Sequence, residues 1–530
     1  MKLLKYIVAC TVIATSLSAD AVIDNPVTKA VLSVYDAQLK ANPSDYMVWF
    51  RRANEYYRHN EYVRALDDVD KALALAPKSD TDLRFQAYML RAGIYNQTNK
   101  YEKALADLNS AIALDPESYS AIYQKANTEF ELGNYSNARI DYTRLQRINS
   151  RSSEALLGLA RCAVKENNLS AANDYLQQAV DFDANNPEIY LRRANVRRLM
   201  SNHNGAVEDL LVALSLKSDD QKAIEMLVDY GNTNYPATIA GLTNAISLAP
   251  ENGLYRYLRA SIAQAHFNYL SAIDDFQEII DKRLYNYHGI NASIARCLYG
   301  LGRYEEALDQ IDDALARSTN VADYYVLRSQ ILRALNRNDQ AIESAAKALA
   351  ISPESVAALT EMAVNYIDKK QYDQAASLLG EASMADANDP AVYLLRAWLH
   401  KTFLKQPVAA KGFNEQALNV ENFTDLNVKS LRGFALLNLG RNDEATQWMQ
   451  NILKNVPDND GLINYYAACL FSLQDLDEQA LECVERSLQA GYSDNHNWMQ
   501  NSDGQINASS LRDDLRFLRL MQKYNSIFGK

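Results

Sequence analysis

The chain repeats itself about every 34 residues. From Tyr46 to Pro77 and from Phe85 to Pro116 the same residue types return in one register: Ala53 with Ala92, Tyr56 with Tyr95, Ala65 with Ala104, Ala72 with Ala111, Pro77 with Pro116. This period is that of a small helix-turn-helix unit, which cannot bury its own apolar face and must stack on its neighbours. The usual expectation of several closed domains for 530 residues therefore does not apply. About thirteen units fit the register. They begin near Tyr46, Phe85, Tyr119, Ser153, Pro187, Asp219, Gly253, His288, Ala322, Val356, Pro390, Leu426 and Asp460.

Numbered within a unit, small residues recur at positions 8, 20 and 27, large ones near 11 and 17, and Pro at 32. Small side chains let two antiparallel helices approach closely. Pro ends the second helix, because it donates no N–H and restrains the residue before it. The pattern resembles the tetratricopeptide repeat family. The resemblance implies an all-α fold, a right-handed solenoid superhelix with capping helices at both ends. It also implies a concave face lined by positions 2, 5, 9 and 12 of each first helix. On that face fall Phe50, Asn54 and Tyr57, then Tyr123, Asn127 and Phe130, then Asn195 and Arg198. Further along they are Tyr257, Arg296, Tyr299, Arg333 and Trp398, with Phe434 and Phe471 beyond. Aromatics interleaved with Asn and Arg suit an extended peptide, with Asn bonding its backbone and rings taking its side chains. The family's carboxylate clamp needs Lys at position 5 with Asn at 9. Phe50, Tyr123 and Leu191 stand where that Lys belongs, so the clamp is not expected.

Comparison of the copies yields a pairing rule. Where position 7 is basic, position 23 is usually Asp: Arg52 with Asp68, Arg91 with Asp107, Lys125 with Asp141, Arg193 with Asp209, Arg259 with Asp275. Elsewhere the charges tend to vanish together, as in Leu159 with Tyr175. A buried charge without its partner is costly, so these positions are expected to face each other, partly buried, as structural ion pairs. Arg328, Arg396 and Arg432 break the rule and must find other acceptors.

The start reads as a secretory signal: Lys2 and Lys5, an apolar run from Tyr6, then Ala19-Asp20-Ala21 with cleavage after Ala21. The expected organisation is signal peptide 1–21, an N-terminal capping helix in 22–45 and a first array over 46–218. An irregular repeat and candidate hinge at 219–252 follows, then a second array over 253–494 and a capping tail over 495–530. In the irregular unit, Gly231 to Pro236 reads as a loop, with Pro starting the next helix. Gly491-Tyr492, Trp498 and Leu511 to Phe517 resemble the tail that closes many bacterial arrays of this family.

Catalytic signatures are missing. The sequence has no GxGxxG, GxxxxGK[ST], HExxH or GxSxG run and no CxxC or Cys/His metal spacing. His59, His203, His266, His288, His400 and His496 have no ligand-spaced partners and read as loop or surface residues. No cofactor or metal is expected. The net charge of -12 disfavours nucleic acid as a partner, and no membrane span is expected after signal cleavage. The expectation is a non-enzymatic protein-interaction scaffold, exported to the periplasm or secreted, that binds extended peptide or protein segments. The alternative is a glycan-binding or polysaccharide-assembly accessory, since the same rings suit sugars.

Overall fold

The computed structural model describes residues 26–285, 289–420, 426–501, 503–504 and 506–529. The expected signal segment 1–21 and His288 lie outside the described residues. Among the described residues there are 29 α-helices and no strand. Twenty-six of them pair successively, from Tyr46–Arg58 with Tyr62–Leu75 to Leu462–Ser472 with Asp477–Gln489. The fold is an α-solenoid of helix-turn-helix repeats. The chain divides into two compact units, residues 1–227 and 228–530.

Local chemistry sets each helix. Many first helices start on side-chain caps: Asp45 accepts the Met47 and Val48 N–H groups at 3.1 and 3.2 Å, Ser152 that of Ala155 at 3.1 Å, Asp389 that of Ala391 at 2.9 Å. These caps satisfy N–H groups that the helix itself leaves unpaired. Ala53, Ala65 and Ala72 are fully buried, as are Ala92, Ala104 and Ala111, where larger side chains would push the paired helices apart. The turn between paired helices places one residue in the left-handed region, fourteen after the unit's start. Asn60 (φ 62°), Asn99 (56°), Gly133 (84°), Asn167 (58°), Gly302 (77°) and Asn336 (58°) take this place. Asn and Gly tolerate it well. Ser201 (57°), Phe267 (58°) and Lys370 (60°) hold the same place with larger or less tolerant side chains.

One expectation about the irregular unit is corrected. Gly231, Asn232 and Thr233 are not a loop but the end of the helix Gln221–Thr233, and Asn234 alone separates it from Tyr235–Leu248. Pro236 sits in the first turn of that second helix, where its missing N–H costs nothing. Gly231 is small for packing, not for turning: a Cβ there would stand 2.9 Å from Ile262 Cδ1.

The position-7 cations reach two ways. Arg52 Nε lies 2.7 Å from Asp68, Arg91 Nη2 2.6 Å from Asp107, Lys125 Nζ 2.6 Å from Asp141, Arg193 Nη2 2.6 Å from Asp209 and Arg259 Nη2 2.7 Å from Asp275. Each of these acids sits on the second helix of the same unit. The same guanidiniums also reach back to the second helix of the preceding unit. Arg52 meets Asp36, Arg91 Asp70 (2.6 Å), Arg193 Gln177 (2.6 Å) and Arg259 Thr243 (2.9 Å). Arg328, which lacks the Asp, does likewise with Asp312 (2.6 Å) and Ser344 (2.8 Å). Arg396 bonds Ser383 at 2.7 Å and lies over the Phe413 ring at 4.0 Å. Arg432 lies over Trp448 at 4.9 Å. The arginine row therefore rivets neighbouring units as well as the two helices within one. The contact to Asp36 docks the N-terminal helix Pro26–Ala41 by the same device.

Candidate functional site

In the first unit, the residues expected on the inner face largely pack on one another. Asn54 donates its amide to Phe50 O at 3.0 Å within its own helix. Tyr57 leans over Gly93 of the next repeat. Tyr123 stacks on Tyr119 at 6.3 Å and meets the edge of Tyr142 at 6.3 Å. Asn127 accepts from the Tyr142 hydroxyl at 2.7 Å and from Arg161 at 3.3 Å. Tyr142 itself is seated by Gly158, where a Cβ would come within 2.2 Å of its ring. Phe130 is buried beneath Arg161, whose guanidinium lies 4.0 Å from the ring centre and bonds Glu131 at 2.8 Å. Phe130 is therefore core, and Arg161, at position 9 of its unit, is what the face presents there. Arg198 is exposed and bonds Asn195 at 3.1 Å.

In the second unit, Tyr257 packs among Phe276 and Tyr285, and Trp398 against Phe403 at 5.1 Å. Arg296 is exposed. Phe434 and Phe471 are core residues, 1% and 2% exposed, which removes them from the binding face. Tyr299 and Arg333 do something the repeat pattern did not announce: they hold the chain's own tail. From Tyr492 the polypeptide runs back across the ends of earlier first helices. Ser493 Oγ donates to Phe267 O and accepts from the Tyr269 N–H at 3.4 Å. Tyr269 Oη donates to Asp494 at 3.2 Å. Asn495 Nδ2 donates to Leu301 O at 3.4 Å, close above Gly302. The His496 ring is held between Tyr299 Oη at Nε2 (2.8 Å) and Tyr304 Oη at Nδ1 (2.7 Å). Asp503 closes on Arg333 at 2.8 Å. His266, in the turn before Tyr269, joins this return: its Nδ1 lies 3.3 Å from Asp460 and its Nε2 3.1 Å from Gly231 O. His266 is thus buried and His496 half-buried between two tyrosines; neither is a surface residue.

The tail contacts a rim made of positions 12 and 17 and the turn between them. Position 12 was expected on the inner face; position 17 was not. Its signal was in the sequence, because Tyr recurs there at Tyr62, Tyr101, Tyr135, Tyr269, Tyr304 and Tyr372. Later tail residues do close the last pair. Phe517 is fully buried, and Arg516 and Lys523 bond Glu478 and Glu485 of the helix Asp477–Gln489 at 2.5 and 2.6 Å.

Burial governs the electrostatics of this rim. Desolvation, helped by Arg333 and Arg512, pulls the His496 imidazole down to about 4 against the lift of Asp503, so it is neutral at pH 7. Desolvation pushes the Asp494 carboxyl up to about 6, although Tyr269 and backbone N–H groups pull it back. Glu361 is also raised by burial despite Arg333 at 3.4 Å, and it anchors Ser329 and Asn365. The four described cysteines are free and buried. Among the described residues no group of three or more His, Cys, Asp or Glu is placed to hold a metal ion, and no helix is long and apolar enough to cross a membrane.

Profiles of the tetratricopeptide repeat match residues 46–79, 85–118, 123–187, 293–356 and 332–399. No curated protein matches the chain. Several solved structures are similar to it. Yeast Tom70 shares 15% identity over 77% of this chain and 99% of its own, with a TM-score of 0.36. The Cut9–Hcn1 hetero-tetramer of the APC/C shares 14% over 93% and 98%, with a TM-score of 0.33. A tetratricopeptide repeat protein from Parabacteroides merdae shares 17% over 48% and 98%, with a TM-score of 0.33. The profile matches fall on units whose helix pairs, caps and turns are those described above, and the chain belongs to the tetratricopeptide repeat family.

Proposed function

We propose that this chain is a non-enzymatic scaffold of the cell envelope that holds extended segments of partner proteins on the inner face of its first unit. The tetratricopeptide fold supports a protein-interaction role. The observation that carries the finer reading lies in the second unit, where the rim at positions 12 and 17 already holds a stretch of polypeptide through hydroxyls, an arginine and backbone carbonyls. A surface that seats one such stretch has the chemistry to seat another. The first unit offers Arg161, Arg198, Asn54 and half-buried tyrosines over a comparable run of repeats. Many weak contacts summed along such a run give useful affinity. The export address rests on the Lys2 to Ala21 stretch.

A tiled peptide array probed with the mature chain tests this. Binding should favour unstructured peptides carrying Asp or Glu beside aromatics. The R161A/R198A variant, with unchanged helical circular dichroism, should lose it at least tenfold. Equal binding by the variant, or capture on a polysaccharide array with no peptide bound, would overturn the reading.

A further inference from the structure

The tail segment on the second unit is held mainly by polar contacts. Across residues 492–496 and 503 they are Ser493 with Phe267 O, Asp494 with Tyr269, Asn495 with Leu301 O, His496 with Tyr299 and Tyr304, and Asp503 with Arg333. Ring contacts add to them on the rim side: Phe267 with Tyr492, centres 4.6 Å apart, and His496 with Tyr299 (4.4 Å) and Tyr304 (5.8 Å). The apolar anchors of the tail face the other way: Trp498 packs on Tyr465 of the terminal pair and on Tyr492, and Phe517 packs on Trp498. Ser493, Asp494 and Asn495 are buried there, so only a chain that supplies the same bonds can take their place. The rim itself is built to stay in place. Arg333 is fixed from behind by Glu361, which is locked by Ser329 and Asn365. Phe267 presents its carbonyl to Ser493 and its ring to Tyr492.

We propose that Phe267, Tyr269, Tyr299, Tyr304 and Arg333 form a second peptide-binding site, filled in cis by residues 492–496 and Asp503, that accepts a free segment of the same chemistry. Such a segment carries an acid and an amide beside an imidazole, with a carboxylate seven residues beyond, as His496 and Asp503 are spaced. The tethered segment competes at an effective concentration on the order of millimolar, so the site is hidden from micromolar ligands until the tail lets go. This inference rests on the same tail contact as the reading of the first unit, and its test at Arg333 holds or fails independently of the one at Arg161 and Arg198.

The test uses the full mature chain and a fluorescein-labelled peptide of residues 491–504. D503K with H496A weakens the tail and leaves the rim intact; D503N is the milder variant should the first misfold. Hydrogen exchange of the Asn497, Trp498 and Gln500 amides should rise at least tenfold in the variant, with the helix Leu462–Ser472 still protected. The peptide should then bind the variant at least tenfold more tightly than wild type by anisotropy. Adding R333E should abolish that binding, and a peptide with Lys in place of Asp503 should restore it. Unchanged exchange in both tail variants overturns the proposal. So does a loosened tail with no peptide binding, or binding indifferent to R333E.

Discussion

Asp209 is where the arginine row is most exposed to a single change. Its carboxylate, 1% exposed, accepts from Arg193 Nε at 3.2 and 3.0 Å and from Nη2 at 2.6 Å, and it lies 3.1 Å from Arg197 Nη1. Two guanidiniums thus share one buried acid. Even so, burial raises the acid above its usual range against the pull of both, so for this carboxylate desolvation outweighs the attraction of the two guanidiniums. D209A leaves Arg193 buried with Gln177 as its remaining partner, and should cost about 3–5 kcal/mol. R193M leaves Asp209 with Arg197 as counter-ion, and should cost about 1–3 kcal/mol. The double variant R193M/D209L removes both buried charges and should cost less than D209A alone. In native-state hydrogen exchange of the helices Pro187–Leu199 and His203–Leu216, a loss of 4 kcal/mol appears as about a thousandfold faster opening. Exchange suits a stacked array better than a single unfolding midpoint, because repeats do not melt as one body. Single-variant effects that add to within about 0.5 kcal/mol, or R193M as damaging as D209A, would refute the shared-acid account.

Other outcomes follow from the same geometry. His496, depressed to about 4, contributes stability that is present above pH 6.5 and lost as pH falls towards 4; Asp494, raised to about 6, contributes stability present at low pH and lost as pH rises through 6. The two terms, each about 3 kcal/mol, oppose each other, so the tail contact should change little between pH 4 and 6, whereas D494N should weaken it steadily on acidification; tail exchange measured at pH 4.5 and 6.5 checks this. G302A and G440A both force a Cβ onto a φ near 77°, but only the first meets Asn495, at 2.9 Å. G440A should cost about 1 kcal/mol, and G302A clearly more, with faster tail exchange. Burial lifts the Cys162 thiol to about 11 and those of Cys469 and Cys483 to about 12, so iodoacetamide at pH 8 should label them only after denaturant is added, as mass spectrometry will read.

The repeat pitch was legible because thirteen copies average out local noise, and the caps and small residues obey local rules that a sequence displays. The Arg–Asp pairs were legible for a related reason: losses such as Leu159 with Tyr175 expose a constraint that one copy alone would hide. The backward reach of Arg52, Arg193 and Arg259 was less visible, since its acceptors vary among Asp36, Gln177 and Thr243. Gly231 misled because a glycine needed for close packing against Ile262 looks like one needed for a turn. The tail contact left almost no periodic trace. It joins residues 170 to 226 apart through single side chains, and nothing repeats to announce it. A half-buried histidine such as His496 reads as an ordinary polar residue until the two tyrosines that grip it are in place.

The return of the tail is the observation on which both functional readings lean, and photo-cross-linking reports it directly. With p-benzoylphenylalanine at position 267 of the full mature chain, irradiation should join that site to the peptide around Tyr492 and Ser493 within one molecule. Mixed heavy- and light-isotope chains distinguish that product from cross-links between copies. Products confined to neighbouring repeats, with none to residues 490–496, would contradict the account.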